Sequence, residues 1–244
     1  MAKPHGDRRP MASRQRDPFA SAPEGERLAE GERQRTVPTR APEVSRKSVF
    51  LNIPYDEKFR RLYLAYISGL AHIDLRPRAT IEIPGGQNRM DKIFDLIRSC
   101  PYSIHDLSLV QLDRTQPATP RFNMPFELGL AVACARIDHP PHDWFVFESM
   151  PRRLSKSLSD LSGIDPYIHR GTVEGVMREL CNCFSRQTPS ERTSVSEMLK
   201  TYRVVSHLSE EVRRKTRARS LFEASVFERL CFVASTAAGL PVTR

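Results

Sequence analysis

The sequence predicts an α/β protein with a mostly parallel sheet, flanking helices, a helical C-terminal extension and a disordered N-terminal tail. Between residues 47 and 188, short apolar runs alternate with segments whose apolar residues recur every three or four positions. After residue 189 only the helical spacing remains. Alternating strands and helices favour parallel strands, because each crossover places a helix on one face of the sheet.

Three regions follow from the composition. Residues 1–46 are rich in Pro, Arg, Glu, Ala and Ser and nearly lack branched apolar side chains. Such a segment cannot bury enough apolar surface to offset its ordering entropy, so we expect a disordered basic tail. Residues 47–188 are expected to form the α/β domain, and residues 189–244 a C-terminal helical region.

The elements are expected in a regular order. The apolar runs predict strands at residues 48–53, 78–83, 102–107 and 144–148, and the helical spacing predicts helices at 57–71, 88–99, 123–136 and about 173–184. Residues 160–167 are expected to form a turn-rich connection. Such a sheet is typical of Rossmann- or flavodoxin-like folds, in which ligands bind beyond the carboxyl ends of the strands.

The C-terminal region carries one apolar stripe at helical spacing. We expect its helix to dock by this stripe, and the C-terminal helices to offer a contact for a second copy or for a partner protein. The stripe consists of Phe222, Val226, Leu230 and Val233.

Composition excludes several classes of protein. No apolar run in the 244 residues approaches the roughly 18–20 needed to span a bilayer, and the N-terminus lacks the apolar core of a secretory signal. Five cysteines, an odd number lying mostly in apolar stretches, do not resemble a disulfide framework. These features favour a cytoplasmic protein without membrane contact.

The net charge of +9 is concentrated at the two ends of the chain. About four positive charges in excess precede residue 48, and about four follow residue 189. Basic ends can bind nucleic acid weakly by releasing counterions from the phosphates. The alternative is solubilising charge on disordered ends, and no recognition motif for nucleic acid accompanies the basic residues.

Glu127 is the most unusual residue of the predicted helix at 123–136. It is the only charge between residues 126 and 135, in a stretch that is otherwise almost entirely apolar. A buried carboxylate is costly unless it is paired or hydrogen-bonded. Glu127 could occupy the first turn and favour the helix dipole, or it could face a cleft at the helix N-terminus. The local pattern favours neither alternative.

Other polar residues fall at the same predicted edge of the sheet. Asp106 ends the third strand, a short polar segment follows the first strand, and Asn123 precedes Glu127. Asn123 could instead be the N-cap of its helix. The rim residues that we expect to contact a ligand are Asn52, Pro54, Tyr55, Asp56, Asp106 and Asn123.

The segment at residues 84–89 lacks the signatures of a Walker loop or a dinucleotide-binding loop. It could still form a phosphate-binding nest ahead of a helix, with Arg89 as the charge. Cys181 and Cys183 diverge on a helix, and His139 and His142 fall in an expected surface loop, so no metal site is predicted. His105 should point to the opposite face from Asp106 and is expected to be a packed histidine.

Two stretches carry a resemblance to a known group. Residues 103–108, ending Asp-Leu-Ser, and residues 123–131, which read Asn-Met-Pro-Phe-Glu-Leu-Gly-Leu-Ala, resemble nucleoside 2-deoxyribosyltransferase-like proteins and TIR-like NAD glycohydrolases. The opening residues 50–55 are similar to the first strand of that group. The segment 109–120 is longer than the group's usual link. Residues 121–130 resemble still more closely a group of uncharacterised bacterial proteins.

The resemblance implies N-glycosidic bond cleavage or transfer on a nucleotide, with NAD as a possible substrate and no cofactor. Glu127 would attack or support the anomeric carbon, because a carboxylate stabilises an oxocarbenium-like transition state. Asp106 would hold the base or ribose, and Asn123 and residues 52–56 would line the sugar pocket. The alternative is a non-catalytic TIR-like module for nucleotide sensing or protein interaction.

Overall fold

The structure is a computed structural model that describes residues 47–86, 88–110, 112–113, 119–137, 142–161, 163–186, 188 and 194–240. The prediction of a disordered tail at residues 1–46 lies outside these described residues. Within them, no helix is both long enough and apolar enough to cross a membrane.

Seven strands and seven α-helices make up the described chain. The strands are β1 (Ser48–Asn52), β2 (Arg76–Arg78), β3 (Tyr102–Asp106), β4 (Leu112–Asp113), β5 (Thr119–Pro120), β6 (Asp143–Glu148) and β7 (Tyr167–Ile168). The helices are α1 (Arg60–His72), α2 (Arg89–Arg98), α3 (Asn123–Ile137), α4 (Arg153–Ser157), α5 (Val173–Cys183), α6 (Val195–Lys215) and α7 (Ala224–Ala237). Short 3₁₀ turns lie at Glu57–Phe59, Thr80–Glu82 and Ser159–Leu161.

Five strands form one parallel sheet in the order β2-β1-β3-β6-β7. This order is the flavodoxin-like variant of the doubly wound fold, so the predicted α/β class is confirmed. Leu51 of β1 pairs with Ile104 of β3, and Ile104 in turn pairs with Phe145 of β6. The strands β4 and β5 form a separate antiparallel pair.

Alternation along the strands divides the core into two faces. Val49, Leu51 and Ile104 belong to the large apolar cluster that includes α1 and α5. Phe50, on the opposite face, packs in a smaller cluster with residues of α2 and α3. The sheet is therefore covered by helices on both sides, and the order of strands reverses at β1, where such folds place their ligands.

The C-terminal helices belong to the same core as α1. Val226 and Leu230 of α7 are fully buried, and Phe222 and Val233 pack against the same cluster. The predicted helical extension is confirmed, and its apolar stripe is covered within the chain itself. Consequently, residues 194–240 contribute to the core of the α/β region rather than presenting this stripe to solvent.

This packing predicts a specific loss of stability. Val226→Ala should lower the free energy of unfolding by about 1.5–3 kcal/mol, since the valine is fully buried. Val204 on α6 is 43% exposed and provides a matched control, whose replacement by Ala should change stability by less than about 0.5 kcal/mol. Urea unfolding followed by circular dichroism measures both variants. Equal effects of the two substitutions would contradict the docking of α7.

The second strand differs from its prediction. The chain forms β2 at Arg76–Arg78 and then a 3₁₀ turn, whereas the apolar spacing predicted a strand at 78–83. The Glu82 carboxylate accepts hydrogen bonds from the Ala79 amide at 2.6 Å and from Arg78 Nε at 2.9 Å. These bonds favour a capped turn over an extended chain. In the same way β7 begins within the predicted connection at 160–167, since two paired residues are too short to produce an apolar pattern.

Candidate active site

A cavity of about 850 Å³ opens at the carboxyl end of β1. Its walls come from the chain after β1, the turn after β2, and the first turns of α2 and α3. Both helices lie on the same face of the sheet, and their N-termini meet there because each follows the carboxyl end of a parallel strand. The volume lies within the range of small-molecule sites.

Glu127 lies in this wall, with only 8% of the residue exposed. It is the fifth residue of α3, and the first turn of that helix carries no acidic residue, so the helix-dipole alternative is wrong. Glu127 is the one carboxylate among the described residues that line the cavity. Burial raises its pKa from an ordinary value of 4.5 to about 7, and the positive charge of Arg89 opposes part of that rise.

The raised pKa predicts how stability depends on pH. The native carboxyl holds its proton more tightly than the unfolded one, so the free energy of unfolding should fall as pH rises from about 4.5 to about 7. Gln cannot ionise. The stability of Glu127→Gln relative to wild type should therefore grow by about 3 kcal/mol between about pH 4 and about pH 8. Denaturant unfolding at both pH values measures this difference, and a pH-independent difference would contradict the buried carboxyl.

Arg89 is the first residue of α2 and is held in place by the backbone. Its Nη1 donates to the Ile83 carbonyl at 2.7 Å, and its Nη2 donates to the Thr80 carbonyl at 3.2 Å. Both carbonyls belong to the turn after β2. The guanidinium is thus fixed at the cavity wall, where it can attract an anion. The hypothesis of a phosphate nest also includes Gln87, which lies outside the described residues.

Tyr55 places a buried hydroxyl at the cavity. No described group meets hydrogen-bond geometry with this hydroxyl, which is itself shielded from solvent. Burial raises the pKa of Tyr55 well above its ordinary value, and the neighbouring Thr80 side chain opposes that rise. The Tyr55 ring is fixed by edge contact with Tyr63 at a centroid distance of 6.4 Å. A buried hydroxyl with no hydrogen bond of good geometry can bond to a ligand.

Four other predicted rim residues follow β1 or begin α3. Asn52 is 4% exposed and, like Pro54, lines the cavity. Asn123 also lines it, but it is not the N-cap, because the Phe122 carbonyl accepts the first helical bond, from the Phe126 amide at 2.9 Å. Asp56 does not line the cavity. Its carboxylate caps the following 3₁₀ turn and lies 3.5 Å from the guanidinium of Arg121.

Asp106 lies away from this cavity, on the face of the sheet that packs against α1. It is fully buried, and its carboxylate accepts hydrogen bonds from the Tyr66 hydroxyl at 2.8 Å and the Ser108 amide at 2.9 Å. His169 Nε2 lies 3.1 Å from the same carboxylate. Asp106 is not among the lining residues, because strand alternation turns it to the opposite face from Asn52. The structure therefore does not bring Asp106 together with Glu127.

One of the two predictions about histidines near the site is confirmed, and the other is wrong. His105 is fully buried against Phe50, so the prediction of a packed histidine is confirmed. His142 is only 5% exposed and bonds to the Cys100 carbonyl, so the prediction that it lies in a surface loop is wrong. His139 lies outside the described residues. Across the described chain, no three His, Cys, Asp or Glu side chains cluster in a way that could hold a metal ion.

Sequence reasoning missed the apolar mouth of the cavity. Phe122 and Phe126 line the cavity while remaining 63% and 54% exposed. Phe122 directly precedes α3 and Phe126 lies in its first turn. Because they are four residues apart, both lie on the same side of the N-terminus of α3. That spacing is visible in the sequence, but exposure is not, since the surrounding helix is apolar on nearly every side.

Comparisons with models of protein families, with curated proteins and with solved structures give no match to this chain, so its function must be inferred from the cavity itself.

Proposed function

We propose that the protein cleaves or transfers the N-glycosidic bond of a nucleotide or nucleoside, with NAD as the leading substrate and Glu127 as the catalytic carboxylate. The observation that carries this proposal is the position of Glu127. Its buried carboxyl lines a cavity of nucleotide size at the edge of the sheet where doubly wound folds bind ligands.

The chemistry suits a carboxylate in an apolar wall. As the bond between the anomeric carbon and the base nitrogen breaks, its electron pair leaves with the base and positive charge develops on the sugar. An ionised Glu127 beside that carbon stabilises this charge, more strongly in a buried site than in water. Water or a second base then forms the new bond to the anomeric carbon, which gives hydrolysis or transfer respectively.

The rest of the cavity offers complementary groups. Arg89 carries a fixed positive charge suited to a phosphate. Asn52, Asn123 and the Tyr55 hydroxyl are polar groups suited to a sugar. Phe126 at the mouth offers an aromatic face for a base. These groups belong to three separate segments of the chain, and the fold brings them to one cavity.

Base release tests the proposal directly. The full chain is incubated with NAD and with a panel of ribo- and deoxyribonucleosides, and free base is detected by chromatography. Protein concentration is varied so that both the monomer and any assembly are sampled. Release of nicotinamide or another base supports the proposal. No release under any of these conditions would refute it.

The pKa of Glu127 predicts the pH profile of this activity. The carboxylate must be ionised to stabilise positive charge, so kcat/KM should rise about tenfold per pH unit below pH 7 and level off above it. Arg89→Gln should shift the rising part of the profile to higher pH, because Arg89 lowers the pKa of Glu127. Steady-state rates between about pH 5 and 9 measure both profiles. A flat wild-type profile would contradict the role of Glu127.

A second candidate is a non-catalytic module of TIR-like type that senses a nucleotide or binds a protein. The specific observation in its favour is the exposure of Phe122 and Phe126 at the cavity mouth, since exposed aromatic pairs are typical of contact surfaces. Nucleotide binding without base release, unchanged in Glu127→Gln, would select this candidate over the enzyme.

A further inference from the structure

A chain of hydrogen bonds runs behind the cavity wall and ends at Asn52. Its first link joins His142 Nδ1 to the Cys100 carbonyl at 2.7 Å. His142 Nε2 lies 2.8 Å from Ser103 Oγ, and Ser103 Oγ lies 2.9 Å from His105 Nε2. His105 Nδ1 then lies 2.9 Å from Asn52 Nδ2. The four side chains in this series of hydrogen bonds are buried, so each bond is protected from water.

The direction of every link follows from its two ends. Asn52 Nδ2 also lies 2.9 Å from the Met124 carbonyl, which can only accept, so this atom is the amide nitrogen. An amide nitrogen donates and does not accept. His105 Nδ1 must therefore be the acceptor, and His105 carries its proton on Nε2.

The remaining links agree with this direction. His105 Nε2 donates to Ser103 Oγ, whose own hydrogen then goes to His142 Nε2. The Nδ1 of His142 donates to the Cys100 carbonyl, which likewise can only accept. Burial and the neighbouring His142 lower the pKa of His105 to about 3, so its imidazole is neutral at neutral pH. The carbonyls of Cys100 and Met124, at the two ends of the series, therefore fix the tautomers of His105 and His142.

The consequence for the cavity concerns which atom of Asn52 faces it. Both hydrogens of the amide are used, one by His105 and one by Met124. The oxygen Oδ1 receives no hydrogen bond from the described residues and is not one of the fully buried unpaired atoms, and the side chain lines the cavity. We propose that His105, held by Ser103 and His142, orients Asn52 so that Oδ1 accepts a hydrogen bond from a ribosyl hydroxyl, which makes Asn52 the residue that selects ribosyl over deoxyribosyl ligands.

This role rests on the proposed function for the identity of the ligand, but not for the orientation of the amide. An acceptor fixed in the cavity wall increases the affinity for a ligand whose hydroxyl can donate a hydrogen bond to it. It remains unpaired when the hydroxyl is absent, because the amide cannot rotate without losing its bonds to His105 and Met124. Asn52 is therefore a specificity residue, and His105 and Ser103 are positioning residues.

The first experiment tests the orientation alone. Nuclear magnetic resonance of the imidazole nitrogens in the full chain, at neutral pH and without ligand, reports the tautomer of His105. We expect a protonated Nε2 and an unprotonated Nδ1. A protonated Nδ1 would overturn the proposal, whatever the protein catalyses.

The second experiment tests the selection. Binding is measured by calorimetry in the Glu127→Gln background, so that the ligand is not consumed, with NAD and its analogues lacking the 2′- or the 3′-hydroxyl on the nicotinamide ribose. We expect the analogue without the 2′-hydroxyl to bind about tenfold more weakly than NAD, as for the loss of one neutral hydrogen bond. Adding Asn52→Ala should reduce that ratio to within twofold, whereas adding Asp91→Asn, at an exposed residue that does not line the cavity, should leave it unchanged.

The outcomes separate the two proposals. Equal binding of NAD and both analogues would overturn the role of Asn52 while leaving the proposed function intact. Loss of the ratio in the Asp91 variant, but not in the Asn52 variant, would also overturn it. Failure of NAD and every analogue to bind would refute NAD as the substrate and overturn the role of Asn52 toward its ribose, and the base-release assay with nucleosides would then decide the proposed function. If Asn52→Ala does not fold, the tautomer and the binding ratio with Asn52 present still decide the question.

Discussion

Glu127→Gln is expected to slow base release by about 10²–10⁴-fold, the usual range for removing one electrostatic or acid–base group. The substitution keeps the shape of the side chain and removes the negative charge that stabilises the developing cation. Nucleotide affinity should change far less, since Asn52, Asn123 and Tyr55, the groups proposed to contact the sugar, remain in the cavity wall. Single-turnover release of free base, together with calorimetric binding, separates the two effects.

Asp91→Asn provides the control for this measurement. Asp91 lies in the first turn of α2, is exposed, and does not line the cavity. The substitution removes one negative charge near the N-terminus of α2, so any general effect of net charge appears in this variant as well. We expect its rate to stay within about twofold of wild type, as for a charge screened by solvent. Equal base release by wild type and Glu127→Gln would refute the assignment of Glu127.

Gly175→Ala is expected to destabilise the fold by more than about 3 kcal/mol, through overpacking against rigid backbone. A Cβ at Gly175 would lie 2.0 Å from the His169 carbonyl oxygen and 2.7 Å from Thr172 Oγ1. The carbonyl cannot move freely, because the Thr172 amide and hydroxyl both donate to it. Thermal or urea unfolding measures the loss.

Gly129→Ala is the matched control, in a different helix. A Cβ at this position would meet nothing within 4 Å, and the residue is exposed in the interior of α3. Alanine there should raise the free energy of unfolding by about 0.5–1 kcal/mol, because it restricts the unfolded chain and favours the helix. Opposite signs for the two substitutions are expected. A stabilising Gly175→Ala would contradict the close approach at His169.

Most of the architecture was predictable because the signals are local. The apolar periodicities of α1 and α5, and the short apolar runs of β1 and β6, each lie within one stretch of sequence. The strand predicted at 78–83 failed for an equally local reason, since the Glu82 carboxylate bonds to the Ala79 amide and closes a turn. Alternating apolar residues indicate burial, but they do not reveal a capping bond of this kind.

Part of the site was predictable from position alone. Asn52 ends a strand and Tyr55 follows it, and Arg89 and Glu127 lie near the N-termini of helices, so the rules of parallel sheets place them at one edge. Asp106 also lies at the carboxyl end of a strand, but its side chain points to the other face of the sheet. Successive side chains of a strand alternate between the two faces, so position at the strand end does not decide the face. The bond between His142 and Ser103, 39 residues apart, could not be predicted, since no local pattern marks which histidine meets which hydroxyl.

The burial of α1 between the sheet and the C-terminal helices has a consequence for biosynthesis. The Tyr63 hydroxyl donates to the Leu221 carbonyl, 158 residues further along the chain. At a typical rate of about 5–20 residues per second, the ribosome needs roughly 10–30 seconds after α1 to synthesise the C-terminal helices that pack on it. During that time the nascent chain exposes aromatic surface that only its last helices bury, so its maturation should depend on chaperones more than its size suggests.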